Sequence, residues 1–162
     1  MSAPPSARSP VHPAGRDDAE AIGRLLHDFN REFDAPTPEP GVLAERMRRL
    51  LATRETAVLL AGEAGARPDG LVVLRFREAI WTAGLECYVA ELYVVPARRG
   101  EGLGRALMEA AIELARRMGA DTIDLGTSDD DVAARALYER LGFSNREGGP
   151  DGPITYFYER EL

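Results

Sequence analysis

The chain of 162 residues contains no lysine: all 20 of its basic residues are arginine. That absence excludes the G-x-x-x-x-G-K-[ST] phosphate loop, a lysine Schiff base and a lysine general base. A single cysteine, Cys87, excludes an internal disulfide and suits a reducing compartment, so a cytoplasmic location is expected. His12 and His27 are the only histidines; with one cysteine, no spacing assembles a metal site, and no metal is expected. No G-x-S-x-G occurs, which removes the nucleophile elbow of a hydrolase. No run approaches the roughly 20 consecutive apolar residues of a membrane span. The first thirteen residues are rich in Pro, Ser and Ala and lack the apolar core of a secretory signal. The net charge of −7 disfavours nucleic acid, whose phosphates an acidic chain repels over long range.

What is present fits one globular domain over residues 10–162, preceded by a disordered leader at 1–9. A short extended segment near Val11 precedes a helix with Asp17 or Asp18 placed to cap it. Ile22, Leu25, Leu26 and Phe29 give that helix an apolar face up to about Asn30, and a second helix, entered through prolines, carries Val42, Leu43, Met47, Leu50 and Leu51. Thr56–Ala61, Leu71–Phe76 and Leu85–Val95 read as a meander of three strands. The glycine-rich turn Gly100–Gly104 leads into a helix whose apolar face carries Leu103, Ala106, Leu107, Ala110, Ala111, Leu114 and Met118, stopped by Gly119. A short buried strand, Thr122–Leu125, leads to a last helix, Asp129–Leu141, and two closing strands, Phe143–Arg146 and Thr155–Glu161. The order predicts an α+β fold built on a mixed, mostly antiparallel sheet flanked by helices.

The most informative stretch runs from Glu91 to Arg105. An apolar strand ends at Pro96, and a turn rich in arginine and glycine then opens a helix. Glycines let backbone approach a ligand closely, and the first N–H groups of a helix have no internal partner. The positive end of the helix dipole lies at the same place, so the turn suits a phosphate or diphosphate, with Arg98, Arg99 and Arg105 adding charge. The competing reading makes the glycines conformational and the arginines solvated surface. A dinucleotide turn of the G-x-G-x-x-G type is disfavoured, because Arg105 stands at the third glycine position.

The motif Arg99-Gly100-Glu101-Gly102-Leu103-Gly104, set just after Val94-Val95-Pro96, resembles the R/Q-x-x-G-x-G/A signature of the GNAT superfamily of acyl-CoA-dependent N-acetyltransferases. About forty residues later, Ala134 to Phe143 is similar to that family's A-x-x-L-Y-x-x-x-G-F landmark. The resemblance implies the GNAT fold and an enzyme that moves the acetyl group of acetyl-CoA, as cosubstrate, to an amine. By the same resemblance, the backbone of Arg99, Gly100, Glu101, Gly102, Leu103 and Gly104 wraps the diphosphate of CoA, while main-chain groups of Leu92, Tyr93 and Val94 pair with its pantetheine arm.

Tyr138 matches the family's general acid, since a phenol with a pKa near 10 stays protonated at neutral pH and can donate to a departing thiolate. Its plain alternative is a tyrosine packed for area. Position 131, often an asparagine that contacts the cofactor in the family, is Asp131, which also suits a helix cap. Gly126 stands where many members that acetylate protein N-termini have a glutamate, which argues against that substrate. Strict alternation along the strand puts Leu85, Cys87, Val89, Glu91, Tyr93 and Val95 on one face. Glu91 is the candidate base; it could instead bind a cationic amine while water takes the proton. For the acceptor, Phe29, Asn30, Glu32, Phe33 and Asp34, with Tyr156 and Tyr158, offer aromatics and carboxylates suited to a small cationic amine. The resemblance is compatible with a homodimer. Two rival classes stand beside the enzyme: a non-catalytic module that senses acyl-CoA, and a pure interaction domain that binds no CoA.

Overall fold

Aliphatic and β-branched residues dominate the stretch from Thr56 to Val94, and in the computed structural model they form the expected meander: β2 (Thr56–Ala61), β3 (Gly70–Glu78) and β4 (Leu85–Val94). The structure describes residues 10–162, so the expected leader at 1–9 lies outside the described residues. Contacts divide the chain into two compact units, one ending at Ile123 and the other Asp124–Leu162.

In the first unit, β1 (Val11–Pro13) adds to β2 at the edge, and β5 (Ala120–Asp124, its last residue belonging to the second unit) lies beside β4, giving the order β1-β2-β3-β4-β5. The first three neighbours pair antiparallel. The Leu85 N–H at the start of β4 donates to Gly119 O, just before β5, at 3.0 Å, so these two strands start at the same end and the sheet is mixed. β5 is less buried than its sequence predicts: Ala120 and Ile123 are half-buried, and Thr122 is exposed.

Helices cover both faces. α1 (Ala19–Glu32) and α2 (Pro40–Leu51) bury Ile22, Leu25 and Met47 against Val58, Leu60, Leu71, Val73 and Tyr93. Pro40 opens α2 at its first turn, where a missing N–H costs nothing. Asp18 sits at the N-cap of α1, but its carboxylate accepts the Gly15 N–H (2.7 Å) of the preceding 3-10 turn, Arg16–Asp18, rather than one from the helix. A Cβ on Gly23 would lie 2.5 Å from Pro40 O and 2.7 Å from Ala44 N, so α1 and α2 meet at glycine distance. On the opposite face, α3 (Leu103–Arg117) buries Leu107 and Met108, and a Cβ on Gly70 would stand 3.3 Å from Leu107 Cδ1. Each such fully buried side chain stabilises by about 1.5–3 kcal/mol.

Strict alternation fails in β4. Val73 pairs with Glu91 but Leu74 pairs with Val89, so Ala90 is an extra residue, a β-bulge. Val73 belongs to the α1–α2 core, and Tyr93 with it. Glu91, opposite Val73, therefore shares the α1–α2 face with Tyr93, whereas Val89 and Cys87, opposite Leu74 and Phe76, lie on the α3 face. The expected single face for Cys87, Val89, Glu91 and Tyr93 is thus split by one inserted residue.

In the second unit, α4 (Val132–Arg140) is shorter than the expected Asp129–Leu141, because Asp131 caps it: its Oδ1 accepts the Ala134 N–H at 3.1 Å. Its C-terminus ends in a Schellman motif. Phe143 N donates to Tyr138 O (3.0 Å) and Gly142 N to Glu139 O (3.1 Å), with Gly142 at φ 89°. The two closing strands do not form among the described residues. A single bridge, Arg146 to Ile154, stands in their place, with the Thr155 N–H on Asn145 O at 2.8 Å. Gly148 and Gly149 at positive φ, together with Pro150 and Pro153, favour a tight loop over a ladder.

Candidate active site

The turn between β4 and α3 has the shape that its glycines require. Gly100 and Gly102 stand at φ 81° and 84°, left-handed values that other residues adopt only with strain. A Cβ on either would meet nothing within 4 Å, so the space beside the turn is open. Gly102 is the N-cap of α3, and the first helical hydrogen bond is Ala106 N to Gly102 O at 3.0 Å. The amides of Leu103, Gly104 and Arg105 thus have no partner within the helix, and the positive end of its dipole lies with them. Such a turn fits an anionic diphosphate.

The arginines are used differently from the sequence expectation. Arg98 Nη1 donates to Asp69 Oδ2 (2.7 Å) and its Nε to Glu101 Oε2 (2.6 Å). Arg99 Nε donates to Val94 O (3.0 Å), its Nη2 to Glu32 Oε2 (2.7 Å), and its guanidinium lies 5.7 Å from the Tyr93 ring centre. Arg105 pairs with Glu109 one turn on (2.8 Å). Each therefore already faces a carboxylate, and the backbone N–H groups at the start of α3 add donors for an anion. Leu92, Tyr93 and Val94 pair with Val72, Leu71 and Gly70 of β3, and the Val94 carbonyl already holds the Arg99 donor.

Glu91 follows the bulge on the α1–α2 face, half-buried, and burial pushes its carboxyl above the usual carboxylate range. Beyond it, Tyr93 stacks on Phe29 (5.0 Å between ring centres), and Phe29 meets Phe33 edge-on at 5.4 Å. Burial and then the Glu32 carboxylate raise the Tyr93 phenol, with Arg99 opposing and Asp28 adding to the rise. The C-terminal end of α1 and the end of β4 thus gather Phe29, Glu32, Phe33 and Tyr93 around Arg99. Asn30 lies in the last turns of α1, and Asp34 follows it at φ 52°.

In the second unit, Tyr138 packs edge-on against Phe143, 5.9 Å between ring centres, and Asp131 lies two turns earlier on the same helix face. Burial and the Asp131 carboxylate both push the Tyr138 phenol up. The Asp131 oxygen that caps α4 is committed to Ala134. Tyr156 and Tyr158 stand 6.5 Å apart and largely exposed, and the Phe157 ring lies 3.7 Å from a Cβ placed on Gly126. Asp69, which holds Arg98 from 29 positions away, and Phe143, whose ring packs on Tyr138, join the site only in the fold. Nothing in the periodicity marks Asp69. The spacing of Tyr138, Gly142 and Phe143 does carry a signal, that of a helix stop with its own apolar contact.

The model of the Acetyltransferase (GNAT) family matches residues 22–143, three quarters of the chain and both landmark motifs. The chain belongs to the GNAT family. A crystal structure from Arthrobacter sp. FB24, described as that of an acetyltransferase, is 42% identical and superposes with a TM-score of 0.85, covering 99% of this chain and 100% of that one. An aminoglycoside acetyltransferase from an uncultured soil metagenomic sample is 26% identical, TM-score 0.71, covering 92% of this chain and 100% of that one. The mycothiol acetyltransferase of Gordonia bronchialis is 31% identical over 144 residues, 85% of this chain and 44% of that protein. An uncharacterized N-acetyltransferase of Methanocaldococcus jannaschii is 27% identical over 136 residues, 82% of this chain and 59% of that protein. This GNAT chain therefore spans between about two fifths and three fifths of the length of these curated relatives. The expected α+β GNAT fold, with its mixed and mostly antiparallel sheet, is borne out. No helix of the described residues is long and apolar enough to cross a membrane.

Proposed function

We propose that this chain transfers the acetyl group of acetyl-CoA to the amine of a small cationic molecule, by direct attack. The observation that carries the proposal is the glycine turn at the start of α3: two left-handed glycines with open space beside them and, behind, helical amides that have no partner within the helix. Arg99, Gly100, Glu101, Gly102, Leu103 and Gly104 hold the diphosphate through backbone, and Leu92, Tyr93 and Val94 offer main-chain groups to the pantetheine arm. Asp131 serves first as the cap of α4 and borders the cofactor through that helix start. The chain acts as a single catalytic domain in a reducing, cytoplasmic setting.

The chemistry needs three proton movements. The ammonium of the acceptor must lose a proton before its nitrogen can bond the thioester carbonyl carbon. Glu91, whose carboxyl is raised by burial, accepts it directly or through water. The carbon–sulfur bond then breaks, Tyr138 donates its phenolic proton to the departing thiolate, and the second proton that the nitrogen sheds on becoming an amide returns Tyr138 to its phenol. The Tyr138 phenol, raised above its ordinary value by burial, starts protonated at neutral pH, as a proton donor must. Phe29, Phe33 and Glu32 suit the acceptor: aromatic faces and a carboxylate favour a cation. Similarity to an aminoglycoside acetyltransferase and to mycothiol acetyltransferases supports a small-molecule acceptor.

The pH profile tests the base. A carboxyl raised by burial must ionise before it can accept a proton, so kcat/KM rises with pH along a limb centred above pH 4.5, the ordinary value for this side chain. Glu91→Gln removes that limb and lowers kcat/KM by about 10²-fold. A profile for Glu91→Gln that keeps both limb and rate takes Glu91 out of the proton path. The raised value also means that ionised Glu91 destabilises the fold as pH climbs through it, and the substitution relieves that cost.

A further inference from the structure

Among the arginines of the glycine turn, Arg98 is held from two sides. Its Nη1 reaches Asp69 Oδ2 at 2.7 Å and its Nε reaches Glu101 Oε2 at 2.6 Å. Asp69 is itself fixed: its N–H donates to Ala61 O (2.8 Å) and its carbonyl accepts the Val95 N–H (2.9 Å), so its carboxylate stands on sheet backbone. Glu101, by contrast, sits between Gly100 and Gly102, the most permissive backbone of the turn. One planar guanidinium therefore ties a rigid point at the head of β3 to the middle of a segment that is entropically costly to order.

The charge sum separates two roles for this arginine. One guanidinium between two carboxylates leaves the trio at −1, which cannot attract a diphosphate. What the trio supplies is shape. It fixes the turn, and it holds the Glu101 carboxylate on Arg98. We propose that Asp69, Arg98 and Glu101 form a clamp that pre-shapes the glycine turn for the diphosphate of the acyl donor, Arg98 being a positioning residue and not a phosphate ligand. This rests on the acyl-CoA reading above.

The test compares acetyl-CoA with S-acetyl-pantetheine, which carries the thioester but no diphosphate. Asp69→Asn keeps size and removes one arm of the clamp. The expected result is a rise of about tenfold in Kd for acetyl-CoA, with kcat/KM for S-acetyl-pantetheine and the melting temperature unchanged. Arg98→Lys, which keeps the charge and loses the fork, weakens acetyl-CoA binding in the same way. If Arg98 were instead a phosphate ligand held back by Asp69, Asp69→Asn would bind acetyl-CoA as well as the wild type or better, and that overturns the clamp. Wild-type affinity in Arg98→Lys, or equal weakening toward both donors, overturns it too. A wild-type chain that binds no acetyl-CoA removes the acyl-CoA reading and the clamp together, which distinguishes the two failures.

Discussion

Replacing Tyr138 by phenylalanine is expected to lower kcat by about 10²–10⁴-fold while leaving the Kd for acetyl-CoA unchanged, the range for loss of a general acid. The substitution removes one oxygen. The ring contact with Phe143 and the Schellman stop at Gly142, both of which depend on ring and backbone, survive it. A fall in turnover would therefore report on the hydroxyl and not on the helix end. Because burial and the Asp131 carboxylate both raise the phenol, the alkaline limb of the wild-type rate should lie above pH 10, the unperturbed value. Tyr138→Phe should lose that limb. Single-turnover kinetics checks both points, and unchanged turnover would return Tyr138 to a purely packing role.

Gly102→Val should abolish measurable acetyl-CoA binding, raising Kd by at least about 10²-fold. A side chain at this position projects into the open space beside the turn, where the account puts the diphosphate. A β-branched residue also resists the φ of 84°, at a cost of about 1–2 kcal/mol, so some loss of stability accompanies the effect. Gly102→Asn separates the two causes. Asparagine tolerates left-handed backbone, so this variant keeps wild-type stability and still loses the cofactor. Calorimetry beside thermal unfolding reads both. Normal affinity in Gly102→Asn would mean that the diphosphate does not use this space.

Much of this could be read from residue order, and what could not has identifiable physical causes. The three-strand meander and the helix after the glycine turn announce themselves through short-range pattern: aliphatic runs, a proline at the end of β4, and apolar residues at helical spacing. The face of Glu91 did not, because the count of two breaks at Ala90, and an alanine bulge looks like any other strand residue. Glu91 still reaches the face of Tyr93, since that pair lies wholly beyond the inserted residue. The pairing of the arginines was equally hidden. Arg98 finds Asp69 29 positions away and Arg99 finds Glu32 67 positions away, contacts that only the folded sheet creates. The closing strands show the opposite case: Thr155–Glu161 has β-prone residues, but residues 147–153 hold three glycines and two prolines, and among the described residues only one bridge forms. The motif around Tyr138 was legible twice over, as a family landmark and as a helix stop. The second reading explains its glycine and phenylalanine without any reference to catalysis.

Acetyl transfer is tested most directly by release of the CoA thiol from acetyl-CoA by the purified chain, followed with and without a panel of small cationic amines and backed by mass spectrometry of the amines. An acetyltransferase gives saturable thiol release that depends on the amine and adds one acetyl group to it. Saturable binding of acetyl-CoA, with no thiol release by any amine in the panel and none restored by peptide amines, would contradict it and leave an acyl-CoA sensor.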